Sequence, residues 1–501
     1  MKTKRLIALI LCILTAVSCF FSAGCGEKAD ENPADAAADT GSPETSPEEE
    51  GEDEEGEKLL ECSVPESLKL NGESVRFLHF FATETFTINI EELTGELLND
   101  AVVNSNQRVM EDLDCVFVHI ENGGKNPATL TNARQAGDDV YEIVYGTQWT
   151  VAPVVVQHIF ANLNRREGTY IDYDKPWWYG HYIREAMADN EHTYFLAGDA
   201  SPDVFRRSSM LILNTDLLTD IGREVGDIYE LVLDGRWTLD RWAEIVRGVY
   251  VDSNGDGVRD VKDTYGFASH TGIDVDHFMI DSGVKGCSRD EDGVPYVDFN
   301  TPNTVEFVEF FVNLLWYNTG SYGYVEAIPT FEMLENNRVL FLSEQFSRLD
   351  QLRNTETNFT VLPLPKLNDF IEHYGSLTHD DANIICIPAI SSRIETSSAV
   401  LEKLGYYYYY DVMPDYYNVI LKTKYRRDSS DAASQVMDLI HDSLTTDFGY
   451  FYNYGMGNMM LSLRDLICTQ KSTAFTSLYK RNEKIYKKML ENLLETMQED
   501  E

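Results

Sequence analysis

VRFLHFF (75–81), LLNDAVVNSNQRVMEDL (97–113), DCVFVHI (114–120), TLTNARQAG (129–137) and VYEIVYG (140–146) are the stretches that decide how this chain folds. The first, third and fifth are short apolar runs of the kind that forms strands. The second and fourth place apolar residues at helical spacing, and the fourth stops at Gly137. Strand–helix–strand–helix–strand over this length predicts a parallel sheet with helices on its faces, since a parallel pair needs a long crossover between its strands.

Beyond this unit the same alternation continues with larger gaps. Strands are expected at SSMLIL (208–213), VLFL (339–342), NFTVLPL (358–364) and ANIICIP (382–388), and helices at 238–250 and 303–316. From Ser392 the pattern is mostly helical to the end. The fold class is therefore α/β, in more than one lobe. Trp237 and Trp242 flank Thr238, a candidate N-cap, and are expected to pack the following helix onto its lobe. Tyr406–Tyr410 spans more than one helical turn and must face several directions, so it is not a binding box.

Charge narrows the function. The formal net charge is −43, from 84 Asp plus Glu against 41 Lys plus Arg. A surface so acidic repels phosphate backbones, which excludes nucleic acid as a partner. Lys2, Lys4 and Arg5 precede an apolar run, Leu6–Phe21, and then Ser22-Ala23-Gly24-Cys25. That is a secretory signal too short to span a bilayer. Its cysteine resembles that of a bacterial lipoprotein signal, although Ser22 stands where Leu is usual. Residues 1–24 are thus expected to be a signal peptide and Cys25 the lipidated first residue. Residues 25–58, nearly all acidic, small or Pro, read as a disordered leash. Cys62, Cys115, Cys287, Cys386 and Cys468 are scattered without CxxC spacing, so neither a zinc site nor a disulfide framework is expected.

Six segments in order carry a wider resemblance: AGDDVYEIVYG (136–146), DYDKPWWYGHY (172–182), DGRWTLDRWAEIVRGVYVDSNGDGVRDVKDTYGF (234–267), NNRVLFL (336–342), FTVLPLPK (359–366) and NIICIPAIS (383–391). Together they resemble the family 1 extracellular solute-binding proteins, the carbohydrate receptors of bacterial ABC importers. The resemblance implies a two-lobed periplasmic-binding-protein-like fold of type II, with a hinge crossed three times and a ligand cleft between lobes. Residues 59–190 and 375–425 would form the first lobe, and 191–374 and 426–501 the second. It also implies a monomer on the outer face of the membrane, held by its lipid anchor, delivering a small sugar to a permease. A surface glycoside hydrolase and a non-transporting sensor or adhesion lipoprotein are the competing functions, although no GxSxG, HExxH, P-loop or GxGxxG motif occurs.

Sugar recognition needs flat apolar faces for C–H patches and amides or carboxylates for hydroxyls. In α/β sheets ligands lie at the carboxyl ends of strands. On that rule the expected contacts are Tyr145, Thr147, Gln148 and Trp149, with Glu344, Gln345 and Phe346 after the VLFL strand. Glu84 and Phe86 follow the first strand, and His379 and Asp380 precede the strand at 382–388. Of the pair Trp177 and Trp178, one at most faces ligand, and Trp178 is selected. Ordinary loop and core packing competes with each of these assignments. Finally, DSNGDGVRDVKD (252–263) has calcium-loop spacing: Asp252, Asn254, Asp256, the Val258 carbonyl, Asp260 and Asp263, with Gly257 at the sharp turn. Asp263 has a shorter arm than the usual Glu there. A structural Ca²⁺ is expected, and no catalytic cofactor.

Overall fold

In the computed structural model the described residues are 59–80, 88–124, 126–164, 168–269, 272–323, 328–417 and 430–499. The signal, the leash, Cys25, Glu84 and Phe86 lie outside them. The chain divides into Met1–Leu60 and Glu61–Glu501, and the second unit carries the fold.

The opening elements are β1 (Glu73–His79), α1 (Leu97–Leu113), β2 (Cys115–Glu121), α2 (Ala128–Ala136) and β3 (Ile143–Thr147). β1 pairs in parallel with both β2 and β3, as the crossover argument requires. α1 buries Val102, Ser105, Asn106, Val109 and Leu113, one stripe at three- and four-residue spacing. α2 ends at Gly137, whose φ of 73° is the left-handed value that glycine adopts without strain. A four-residue helix, α3 (Gln148–Val151), follows β3 directly.

The second sheet is built from β4 (Ser209–Asn214), β5 (Tyr265–Ala268), β6 (Ser321–Tyr322), β7 (Val339–Gln345) and β8 (Phe359–Leu362), in the order β8-β4-β7-β5-β6. β4 runs antiparallel to both neighbours, while β5 is parallel to β6 and β7. Around it lie α4 (Leu239–Arg247), α5 (Ile273–Asp281) and α6 (Pro302–Trp316). Trp242 is fully buried and stacks on Phe278 at 4.8 Å, and the Trp237 indole N–H donates to the Pro363 carbonyl at 3.1 Å. Both tryptophans therefore pack their lobe as expected. Thr238 does precede α4, yet it makes no side-chain capping bond. α6 is the better capped helix, with Thr301 Oγ1 accepting from the Thr304 N–H at 3.2 Å and Pro302 in its first turn.

The chain then returns to the first sheet. β9 (Asn383–Cys386) pairs antiparallel with β3, giving the order β9-β3-β1-β2, and α7 (Ile394–Tyr407) packs on α1. Outgoing and returning passages run side by side, with bridges Leu196↔Ile385 and Ser208↔Thr378. Leu196 thus touches the edge of the first sheet through its bridge to Ile385. A third stretch joins them where Ser376–Leu377 pairs with Leu444–Thr445. The C-terminal part holds α8 (Phe448–Phe451), α9 (Met459–Cys468) and α10 (Phe475–Met497). It touches the first lobe as well as the second: Tyr452 Oη donates to the Ala186 carbonyl at 3.1 Å, and α9 packs on α5 and α6. Tyr408 is fully buried, while Tyr406, Tyr409 and Tyr410 are partly exposed, so the tyrosine run does face several ways. The five cysteines from Cys62 to Cys468 are free thiols. Among the described residues no helix is long and apolar enough to cross a membrane.

Candidate functional site

The end of β3 is tied to the returning passage by two backbone bonds. The Gln148 N–H donates to the Ala382 carbonyl and the Trp149 N–H to the Asp380 carbonyl, each at 3.0 Å. The strand end and the passage thereby place Trp149 and Asp380 side by side. From the C-terminal part comes Tyr450, whose hydroxyl oxygen accepts the Asp380 N–H at 3.3 Å. α8, which begins at Phe448, is held by Asp447, a buried N-cap accepting from the Tyr450 N–H at 3.1 Å.

Between these three contributions lies a pocket of ≈ 220 Å³, lined by Trp149, Ala152, Pro153, Val156, Asp380, Tyr450–Gly455 and Leu493. Its walls are aromatic: Trp149, Tyr450, Phe451, Tyr452 and Tyr454. Its polar side chains include Asp380 and Asn453, and Asn453 Oδ1 already accepts from the Met460 N–H at 3.1 Å. The Tyr452 hydroxyl is committed to Ala186, and its ring packs on Phe448 and Phe451 at 4.6 and 4.8 Å. Such a pocket can stack on an apolar ring face and hydrogen-bond at one edge.

Ionisable side chains lie beside it. His379 Nδ1 lies 3.2 Å from Asp380 Oδ1 and accepts the Asp381 N–H at 3.0 Å. The ligating atoms of His379, Asp380 and Asp381 fall within 4.8 Å of one another. On the second-lobe side, His277 contacts Ser343 Oγ at 3.3 Å and its ring centroid is 6.4 Å from that of His379. Burial pushes the Asp276 carboxyl up, and the hydrogen-bonded Arg464 guanidinium pulls it back.

The expected contacts separate into two groups. Trp149 and Asp380 line the pocket, with His379 beside them. Gln345, on the other sheet, is linked to His379 through Arg207: Arg207 Nη1 donates to Gln345 Oε1 at 3.5 Å, and the Arg207 carbonyl accepts from the His379 N–H at 3.0 Å, while Glu344 is buried and lies 3.9 Å from Arg348. β7 runs on through Gln345, so both are strand residues and do not follow it.

The side chains of the other expected residues are engaged in the interior. Tyr145 is buried against His79 and donates to the Ala200 carbonyl at 2.9 Å. Thr147 shares a hydrogen bond of 2.7 Å with Thr150, and Gln148 Oε1 accepts from Tyr182 Oη at 2.9 Å. Phe346 stacks on Phe205 at 4.7 Å. Trp178 donates its indole N–H to Glu402 at 2.7 Å, and Gly198 lies so close that a Cβ there would meet the Trp177 carbonyl at 2.2 Å. Tyr450–Gly455 lines the pocket too, within the part of the sequence whose pattern is mostly helical. Its signal was the run YFYNYG, aromatic residues around one amide and closed by glycine.

In the 252–263 loop the acids fold the backbone. Asp252 accepts the N–H groups of Gly255 and Gly257 at 2.8 and 3.0 Å, and Asp256 accepts that of Val258 at 2.7 Å. Asp263 is fully buried and accepts from Tyr250 and Tyr265, each at 3.3 Å.

No family model and no curated protein matches the chain. Solved structures do. A cyclo/maltodextrin-binding protein in complex with maltotetraose is similar with a TM-score of 0.53 at 10% identity, over 85% of this chain and 96% of that one. UspC of M. tuberculosis is similar at 0.50 and 11% identity, over 83% and 100%. The fold is that of the two-lobed solute-binding proteins. The pocket is assembled by α3 and the turn after it, by Asp380 of the returning passage, by α8 and the turn that follows it, and by Leu493 of α10.

Proposed function

We propose that this protein is the extracellular solute receptor of an ABC importer, and that it captures a small carbohydrate, a mono- or oligosaccharide, and releases it intact to a permease. The observation that carries this reading is the pocket itself, with Trp149 and Tyr450–Tyr454 as stacking faces and Asp380 and Asn453 as hydrogen-bonding edges. In a two-lobed fold, a ligand that gained further contact when the lobes met would bias an open–closed equilibrium. Cys25 would carry the lipid and residues 25–58 would tether the receptor near its permease at high effective concentration. The test is a thermal-shift and calorimetric screen against a glycan panel, with each mixture analysed for products. Binding with every glycan recovered intact is expected. Absence of binding, or cleaved glycan, overturns the reading.

We also propose that loop 252–263 takes a structural Ca²⁺ through Asp252, Asn254, Asp256, the Val258 carbonyl, Asp260 and Asp263. Supporting this, the hydrogen bonds of Asp252 and Asp256 pre-fold the turn, and each carboxylate oxygen keeps a second lone pair. Asp263, held by two tyrosines, would be the arm that must give way. Chelation by EDTA is expected to lower the melting temperature and added Ca²⁺ to restore it; an unchanged melting temperature would remove the ion from the account.

A further inference from the structure

An aromatic box with a carboxylate as its charged group suits a positively charged ligand better than a neutral one. Tyr450, Tyr452, Tyr454, Phe451 and Trp149 line the pocket, and a cation over an aromatic face is attracted by the ring quadrupole. Among the described residues lining the pocket there is no Lys, Arg or His, and Asp380 is the one that carries a charge. Arg464, a guanidinium near Asp380, is hydrogen-bonded to Asp276 through both Nε and Nη2. His379 Nδ1, which accepts the Asp381 N–H, lies 3.2 Å from Asp380 Oδ1. At the pocket wall itself the ionisable carboxylate is Asp380, with the guanidinium of Arg464 held by Asp276 outside the lining. The rest of the molecule acts in the same direction, since a net charge of −43 raises the local concentration of cations.

We propose that the pocket binds a protonated amine on the captured carbohydrate: an amino sugar whose ammonium group pairs with Asp380 while its ring lies against Trp149 and the Tyr450–Tyr454 aromatics. This deepens the carbohydrate reading and rests on it. No bond is made or broken. The ammonium donates hydrogen bonds to the Asp380 carboxylate, and N-acetylation, which removes its charge, should weaken the contact.

The test is calorimetric titration of the whole protein at pH 6.5 with glucosamine oligomers, with N-acetylated oligomers of the same length and with maltotetraose. The free amine form is expected to bind at least about tenfold more tightly than either neutral series, in line with a charge-assisted hydrogen bond. Its affinity should fall as NaCl is raised while that of a neutral ligand stays level. Asp380→Asn keeps the shape and the backbone bonds and should erase the preference, with an unchanged melting temperature showing that the variant folds. Equal or tighter binding of the neutral series overturns this inference and leaves the receptor reading standing. Failure of every carbohydrate to bind overturns both.

Discussion

Trp149 and Asp380 come together because the Trp149 amide donates to the Asp380 carbonyl, so a strand end of one sheet and a passage between sheets are fixed to each other at the pocket. Both side chains are only partly buried. Trp178 differs: its indole N–H is taken by Glu402 and it is 3% exposed. Two tryptophans that look alike in sequence therefore have separate uses, and the difference lies in partners more than 200 positions away that spacing along the chain does not reveal. Trp149→Ala should weaken carbohydrate binding by about 10- to 100-fold, as loss of a stacking face does, and leave the melting temperature nearly unchanged. Calorimetry beside a thermal melt checks this, and a large fall in melting temperature would make Trp149 a core residue.

Elements were more legible than side-chain roles. The helix expected at 97–113 has those bounds, and the parallel β2-β1-β3 arrangement follows from the strand–helix alternation around it. Periodicity sees such segments because one face of each is continuously buried. It misjudged β7, which extends to Gln345, because buried polar residues there break the apolar run without ending the ladder. Nor could it find α8, four residues long and held by a single Asp cap, although α8 and the turn after it bring most of the pocket's aromatic residues. Capping gives a prediction at this scale. Thr301 caps α6 through its side chain, so Thr301→Ala should cost about 1 kcal/mol in urea unfolding. Thr238→Ala lacks that component, because Thr238 makes no capping bond.

Across the whole molecule, each passage between the sheets has a fully buried carboxylate beside it. Asp199 follows the outgoing passage's first bridge and accepts from Tyr179 Oη at 2.5 Å. Asp281 accepts the Leu377 N–H of the returning passage at 2.6 Å and is hydrogen-bonded to Ser209. Asp447 accepts the Gly286 and Cys287 N–H groups at 3.1 Å. Burial pushes Asp281 up to about 8, against the pull of Ser209 and the Leu377 N–H. It pushes Asp199 to about 7 against His441 and Tyr179, and Asp447 to about 6 against the Cys287 N–H. Folded pKa values above the unfolded value of about 3.9 mean that the native state binds the extra protons, so this stability is complete at low pH and is lost as pH rises through 6 to 8. Burial holds His79 at about 3 and His119 at about 4, which costs stability only below the unfolded histidine value of about 6.5. Between pH 8.5 and 6.5 the carboxylates act unopposed by these histidines, and the melting temperature should rise as pH falls, each group contributing at most about 1.4 kcal/mol per pH unit. Asp281→Asn should flatten that slope between pH 7 and 8.5; an unaltered slope would show that Asp281 does not titrate there.

The receptor account is tested most directly by a crystal structure of the protein with the tightest-binding oligosaccharide from the screen. The account predicts an uncleaved sugar lying against Trp149 and the Tyr450–Tyr454 aromatics with a polar group on Asp380. Hydrolysed sugar in that place, or an intact one seated elsewhere with the pocket empty, would contradict it.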